Sequence, residues 1–544
     1  MIRVFFIALI LILTSVSVSP QSLCKEKYNY VIITTPEAET ILSEFKTWKE
    51  SLGYSVKIVT TSWISSSYNG GDLEEKIRNF LIEKYREWGI NYVLIIGSRN
   101  KIPMRLCYPL AEHNGYSPTP TDYYYADLTG NWDKDGDGYF GEYSQDDMDF
   151  SPEVYVGRIP IDEPDRIRET CERIIDFERD NGRWKKNVLL IGAIIFYENQ
   201  SHMNHVWHRS DGATLMEECR EDIFEPNGFN ITRLYEKEGL KPSIYECEHP
   251  LNRSNVLSEW RGDYGIINLL GHANNREVDR LIWRYDDGDN IPEYPGELEY
   301  EMFLQYSDGK DLSKEKPPIV FTSGCYQFWT HINMGRYFIE KGAAVAFIGS
   351  TGGSWYNISL IWRDERDGGT FSINYYFFYY LINCNQRIGN ALYNSKIYYY
   401  NQFIFTDRNP EWIFRCYDNL YGFNLYGDPS LGLTTEKVDT KPPEVTIEKP
   451  REGYLYLFGR ETMQLPVEKA IIIGGIDVKV KTYDENLSET NFYIDGKLRY
   501  STEEETCEWL WNEPVVGRHT IKIVAEDKNS NLAYQEVDVW IFNL

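Results

Sequence analysis

Short, wholly apolar runs alternate along this chain with stretches of helical period. Tyr30-Val31-Ile32-Ile33 and Tyr92-Val93-Leu94-Ile95-Ile96 are such runs, and residues 55–59, with Lys57 among apolar neighbours, read as a strand between them. A run without polar positions is a strand buried on both faces, and such burial calls for helices on both sides of a parallel sheet. The helices fall between the runs. Residues 37–52 read as one. In the next, Asp72 caps the start with Glu75 three residues on, and Leu73, Ile77, Phe80, Leu81 and Tyr85 keep one apolar face. The alternation resumes with a strand at 187–191, a helix near 211–222, and buried strands at 264–270, 318–322 and 343–348. Two α/β lobes and one long sheet fit this pattern equally well. After Lys441-Pro442-Pro443 the period changes to short strands at 478–483, 491–494 and 519–525, broken by Asp495-Gly496 and by the polar stretch 526–531. That is the pattern of an antiparallel sandwich, with the Trp509 to Trp511 segment supplying core aromatics.

Length sharpens the division. A chain of 544 residues exceeds the roughly 250–300 that one core accommodates. The boundaries read as a signal peptide at 1–22, an N-terminal α/β lobe at 23–185, a catalytic α/β lobe at 186–440 and an all-β sandwich at 441–544. The signal is read from Arg3, the apolar run 4–13 and the small residues Thr14, Ser15 and Ser17 after it. No later stretch reaches the roughly 18 apolar residues that a membrane span needs. The expectation is a secreted or cell-surface protein without a stable membrane span. A formal charge of −27 repels phosphate backbones and excludes nucleic acid as a partner. Nine cysteines lie scattered with no C-x-x-C pair, which argues against a zinc ribbon or a thioredoxin-like site. Oligomeric state is not legible here.

Two strand ends carry the candidate chemistry. The apolar run 265–270 is followed by Gly271-His272-Ala273, and the run 318–322 by Ser323-Gly324-Cys325. In a parallel sheet the ligand crevice lies beyond the C-terminal strand ends. A thiol and an imidazole delivered there cooperate, the imidazole taking the proton while sulfur attacks a carbonyl carbon. The backbone N–H groups of Ala273 and Cys325 are candidate donors to the oxyanion. A second constellation is Asp133-Lys134-Asp135-Gly136-Asp137-Gly138, the first half of a calcium loop. Tyr139 offers a carbonyl at position 7. Ser144 stands where the bidentate Glu belongs, with Glu142 or Asp146 as substitutes. The expected metal set is Asp133, Asp135, Asp137, Tyr139 and Glu142 around a structural Ca2+, against the alternative of a solvated acidic loop.

Gly271-His272 and Ser323-Gly324-Cys325, each after an apolar strand, resemble the His and Cys motifs of the gingipain family of cysteine peptidases, in the caspase-like clan. Residues 121–127 (Thr-Asp-Tyr-Tyr-Tyr-Ala-Asp), 156–160 (Val-Gly-Arg-Ile-Pro) and 425–431 (Leu-Tyr-Gly-Asp-Pro-Ser-Leu) are similar to further family segments. The resemblance covers residues 28 to 435, and the trailing sandwich resembles the immunoglobulin-like domain that often follows. It implies a caspase-like parallel-sheet catalytic region, and hydrolysis of peptide bonds in protein or peptide substrates through an acyl-enzyme on Cys325, with His272 as general base and acid. It implies a substrate cleft near Gly324, Ser354 and Trp355. Ala273 departs from the family's Gly, and its methyl is a candidate obstruction to substrate. Relatives often carry a folded pro-domain, for which the early first strand leaves no room. Glu217 and Glu218 are among the candidates for orienting His272. The rival class is a catalytically inactive relative serving as a surface-binding or adhesion module. A transpeptidase on the same dyad is a third reading.

Overall fold

The computed structural model describes residues 27–110, 117–202, 205–206, 208–356, 368–404, 410–435, 442–467, 469–529 and 531–544. The expected signal segment lies outside them.

Burial on both faces draws the apolar runs into one sheet. Along the chain the strands are β1 (Tyr30–Thr34), β2 (Val56–Thr60), β3 (Tyr92–Ile96), β4 (Tyr155–Ile159), β5 (Asn187–Gly192), β6 (Asn230–Tyr235) and β7 (His249–Pro250). There follow β8 (Ile266–Leu270), β9 (His272–Ala273), β10 (Glu277–Trp283), β11 (Leu298–Gln305), β12 (Ile319–Thr322), β13 (Ala346–Ser350) and β14 (Phe423–Tyr426). All but β9 to β11 join an 11-stranded sheet in the order β7-β6-β5-β8-β12-β13-β14-β4-β3-β1-β2. Of the two arrangements left open by the sequence, the structure has the one long sheet.

Neighbours are parallel throughout except at one seam. β13 pairs antiparallel with β14, which pairs parallel with β4. The strands β1 to β4 therefore run opposite to β5, β8, β12 and β13. Strand interiors are fully buried: Val31, Ile32, Leu94, Ile95, Ile267, Val320 and Phe321 are inaccessible to solvent. β9, β10 and β11 form a separate antiparallel sheet leaving the end of β8.

Four helices matter below: α1 (Leu73–Trp88), α2 (Gly212–Cys219), α3 (Gly369–Phe378) and α4 (Pro410–Gly422). Asp72 caps α1 by accepting from the Glu75 N–H at 2.9 Å, while Glu75 reaches back to the N–H of Gly71, one residue earlier than a capping box requires. Gly89, at φ 76°, closes the helix in the left-handed conformation. The helix expected at 37–52 is broken by a tighter turn at Thr40–Leu42.

The C-terminal region is all-β. Three strands (Glu444–Lys449, Ile476–Tyr483, Thr506–Trp511) face a seven-stranded sheet that ends the chain. Val478, Val480, Phe492, Trp511, Ile521 and Ile541 fill the space between them. Trp511 is fully buried and Trp509 packs at the margin, which bears out the sequence reading of that segment. Among the described residues no helix is long and apolar enough to cross a membrane.

Candidate active site

β8 and β12 are adjacent parallel strands, with Leu269 opposite Thr322. The segments that follow them therefore emerge side by side. After β8, Gly271 lets the chain turn into the β9–β10 hairpin: a Cβ there would stand 2.9 Å from Val278 Cγ1 and 3.0 Å from the Asp279 carbonyl. The next residue, His272, donates from Nε2 to the Ile195 carbonyl at 2.7 Å. Phe196 and Tyr300 meet its ring edge to face at 5.7 and 5.1 Å. A carbonyl only accepts, so Nε2 carries a proton, and when the ring is neutral its lone pair is on Nδ1.

After β12, Gly324 donates to the Thr322 hydroxyl at 3.3 Å, and Cys325 stands at a sharp reversal, because Tyr326 adopts φ 55°. A non-glycine residue in that region is strained. It is held there by its own N–H to the Gly352 carbonyl at 2.8 Å and by Phe328 N–H to Ser350 O at 2.9 Å. The Cys325 sulfur accepts from the Ser354 N–H at 3.3 Å. Burial pushes the thiol above its ordinary range, the Ser354 N–H opposing and Asp418 adding to the rise. Burial thus favours the protonated form of the sulfur.

His272 and Cys325 line one cavity of about 190 Å³, walled by Phe196, Tyr326, Trp355, Tyr356, Phe371 and Arg415. Ser354 and Trp355 also line it. Gly324 sits behind the thiol, and a Cβ on it would fall 2.5 Å from the Ala273 Cβ. The Ala273 methyl is therefore directed at Gly324, and it fills the space that Gly324 leaves. Asn274 donates to Glu277 O at 3.0 Å across the hairpin turn. Bonded and non-bonded positions alternate along an antiparallel pair, so the Ala273 N–H points away from β10.

Of the candidates for orienting His272, Glu217 is engaged elsewhere. It bonds Tyr235 at 2.7 Å, Arg220 at 2.7 Å and Arg233 at 3.3 Å. A residue that sequence reasoning missed is Asp279, directly opposite His272 in the β9–β10 pair. Its carboxyl is pushed up to about 6 by burial and by Glu277. Directly opposed residues share a face, but the register that opposes them is not legible in the sequence.

A second cavity of about 460 Å³ shares Tyr326, Gly353 and Trp355 with the first and is bounded by Ser117, Thr119, Trp329 and Asp418. Asp418 is buried on α4. It accepts from the Thr119 hydroxyl and from Trp355 Nε1 (2.6 Å), and burial pushes it up to about 6. A larger cavity of about 860 Å³ lies far from this chemistry, beside the edge strand β2, and its lining includes no cysteine or histidine.

The acidic loop is wound as its glycines predict, with Gly136 and Gly138 at φ 75° and 85°. Ligand-type oxygens of Asp133, Asp135 and Asp137 lie within 4.8 Å of one another. Asp146 is occupied by backbone, accepting from Lys134 N (2.6 Å), Gly141 N and Glu142 N (both 2.9 Å). Glu142 is fully buried and pushed up to about 7 by burial, Asp137, Asp146 and Asp135. A carboxyl so pressed by other carboxylates is chemically suited to a cation. The loop leans on α4: Tyr421 donates to Gly141 O at 2.7 Å, and Tyr143 meets Tyr417 edge to face. Asp286, Asp287, Asp289 and Glu297 gather in the same way. The run Asp286-Asp287-Gly288-Asp289 was visible in the sequence, whereas the approach of Glu297 was not.

Comparison with known proteins places these observations. The model of peptidase family C25 matches residues 24–434. The solved structure of the Arg specific cysteine proteinase gingipain R superposes with a TM-score of 0.53 at 14% identity, covering 95% of this chain and 98% of its own. The complex of Porphyromonas gingivalis RgpB pro- and mature domains gives 0.51 at 14% identity, over 94% of this chain and 100% of the other. An uncharacterized protein of Archaeoglobus fulgidus is 25% identical over 339 residues, 58% of this chain and 67% of that protein.

Proposed function

The chain belongs to peptidase family C25, and on that premise we propose that it is an exported cysteine endopeptidase acting through an acyl-enzyme on Cys325. Its gingipain-like fold and its family support a cysteine peptidase with protein substrates. The observation that carries the finer reading is the convergence of thiol and imidazole, from adjacent strands, on one aromatic-walled cavity.

The chemistry follows from the resting states. Burial raises the thiol above its ordinary range, which favours proton transfer in step with attack over a preformed thiolate–imidazolium pair. His272, its Nε2 hydrogen committed to Ile195, takes the sulfur proton on Nδ1 as sulfur bonds to the substrate carbonyl carbon. The oxyanion accepts from the N–H groups of Cys325 and Ala273. The imidazolium returns the proton to the departing amine, the C–N bond breaks, and a thioester remains on Cys325. Water, deprotonated by His272, then releases the acid and restores the thiol.

Two further parts belong to this reading. Asp133, Asp135, Asp137, the Tyr139 carbonyl and Glu142 hold a structural Ca2+, a role supported by the gathered oxygens and by the pressed carboxyl of Glu142. The C-terminal region is an immunoglobulin-like module, supported by its two facing sheets and by the parallel pairing of Ala470–Ile473 with the last strand. Secretion or display at the cell surface accords with the leader-like start of the chain.

The test is covalent labelling of the purified protein, in calcium and reductant, by peptidyl acyloxymethyl ketones of varied sequence. Wild type is expected to label and Cys325→Ala, folded by circular dichroism, to remain unlabelled. Labelling that survives in Cys325→Ala sinks the assignment of the nucleophile. A folded, reduced wild type that no probe labels returns the chain to the binding-module class.

A further inference from the structure

We infer that Arg415 sets the substrate preference of this site by binding a carboxylate on the acyl side of the scissile bond, so that cleavage follows Asp or Glu. This rests on the catalytic reading of Cys325 and His272.

Arg415 projects from α4 into the wall of the cavity that holds the thiol and the imidazole. Its guanidinium lies 5.0 Å over the Trp355 ring. Trp355 directly follows Ser354, whose N–H meets the Cys325 sulfur at 3.3 Å. The cation is therefore about one side chain away from the nucleophile. In the acyl-enzyme, the carbon bonded to sulfur carries the substrate residue whose side chain enters the space between Cys325 and Trp355.

What distinguishes this arginine is its place in the cavity of the thiol and imidazole without an acid beside it, since Arg78, Arg99 and Arg173, which also lack one, bond backbone carbonyls elsewhere. Arg158, Arg233, Arg253, Arg280 and Arg284 each pair with one or more carboxylates. Among the described residues none pairs with Arg415, and its contact is the indole face. A guanidinium stacked on an aromatic ring is preorganised, with its planar N–H edge directed at a carboxylate in two parallel hydrogen bonds. Asp418, one turn on along α4, instead accepts from Thr119 and from Trp355 Nε1. Asp418 thus fixes the edge of the indole whose face carries Arg415. Apart from His272 and Cys325, the rest of the lining is glycine, aliphatic, aromatic or hydroxyl, including Phe196, Tyr356 and Phe371. In such a wall a charge is weakly screened. A lysine or arginine of the substrate would meet a like charge there, and a neutral side chain would leave the guanidinium without its counter-ion.

The experiment compares wild type, Arg415→Gln, Arg415→Lys and Arg415→Glu on a fluorogenic peptide library in which only the residue on the acyl side of the cut is varied. Each preparation is first titrated with an acyloxymethyl ketone bearing alanine at that position. Wild type should prefer Asp or Glu over Ala, and over Lys or Arg, by about 10- to 100-fold in kcat/KM, the range of a charged hydrogen-bonded pair. Arg415→Gln should collapse the ratio of acidic to alanine substrates, Arg415→Lys should retain part of it, and Arg415→Glu should turn it toward lysine. A wild type that prefers Lys or Arg, or an acidic preference that survives in Arg415→Gln, overturns the inference while labelling by the alanine probe leaves the catalytic reading standing. If Cys325 reacts with no probe at all, both fall together.

Discussion

β1 to β4 and β8, β12 and β13 are made of the same material, apolar strands buried beneath helices, yet they finish differently. β2 ends on Thr60, whose hydroxyl caps the next helix by accepting from the Trp63 N–H, and β3 ends on Ile96 before the Gly97-Ser98 turn. β8 and β12 end on Leu270 and Thr322 and pass at once to His272 and Cys325. Composition does not separate the two sets; direction does. Because β14 is antiparallel to β13 and parallel to β4, the strand ends of the two halves face opposite edges of the sheet. The N-terminal half reaches the neighbouring cavity through the long connection from β3 to β4. That connection contributes Ser117 and Thr119 to the neighbouring cavity and lays the acidic loop on α4. One half carries the candidate thiol and imidazole at its strand ends, and the other lays a loop beside them.

If that contrast is right, glycines at the two kinds of strand end are unequal. Gly324→Ala forces a Cβ to 2.5 Å from the Ala273 Cβ. Overpacking of that kind costs about 1–3 kcal/mol, and a displaced thiol costs kcat/KM about 100-fold. Ala273→Gly in the same chain removes the clash and should restore most of both. At the other edge, Gly97→Ala places its Cβ 3.1 Å from Ile102 Cγ1 at φ 150°. It should lower the melting temperature and leave kcat/KM per folded molecule near wild type. Chemical denaturation and active-site-titrated kinetics on the three variants and wild type decide this. A Gly97→Ala protein as inactive as Gly324→Ala would break the contrast.

The second effect is smaller and concerns the thiol alone. With burial as its leading influence, the Cys325 thiolate should form only above the range of an unperturbed thiol, near 8.5. The rate of iodoacetamide alkylation, followed against pH by mass spectrometry of the Cys325 peptide, should inflect above that value. An inflection well below it would mean a resting thiolate–imidazolium pair, and the proton transfer assigned to His272 would then precede substrate binding.

Much of this was legible because direction and period are written together at strand ends. An apolar run followed by Gly-His or by Ser-Gly-Cys gives both the strand and the edge at which its successor emerges. The seam was not legible, since Phe423-Asn424-Leu425-Tyr426 is too short to stand out behind α4. Arg415 and Asp418 were missed for a related reason: α4 reads as an ordinary helix, and only its packing over Gly353 and Trp355 brings it to the cleft. Asp279 needed the hairpin register. The methyl of Ala273 was read as an obstruction to substrate because its partner, Gly324, is adjacent only in space.

The smallest expected effect tests the supporting half. Glu142, with its folded-state value raised from 4.5 to about 7, favours folding when protonated. Its contribution is present below about 4.5 and is lost as pH rises through about 7. Metal-free protein should therefore lose some stability over that interval, and Glu142→Gln should recover it. Calcium acts with the opposite sign. Its ligands must be deprotonated, so at pH 7.5 saturating calcium should raise the melting temperature, while at pH 5 the gain should shrink. At about 100 times the dissociation constant the stabilisation is about 2.7 kcal/mol, or at most some 5–10 °C for a domain of this size. Glu142→Gln and Asp135→Asn should abolish the calcium gain while differing in metal-free stability, because only the first removes a carboxyl pressed by burial. Since the loop leans on α4 through Tyr421 and Tyr143, the gain should be accompanied by a change in turnover of acidic substrates at unchanged Cys325 labelling. A calcium response of equal size in wild type, Glu142→Gln and Asp135→Asn would place the ion elsewhere, and the loop would be a solvated acidic surface resting on the specificity helix.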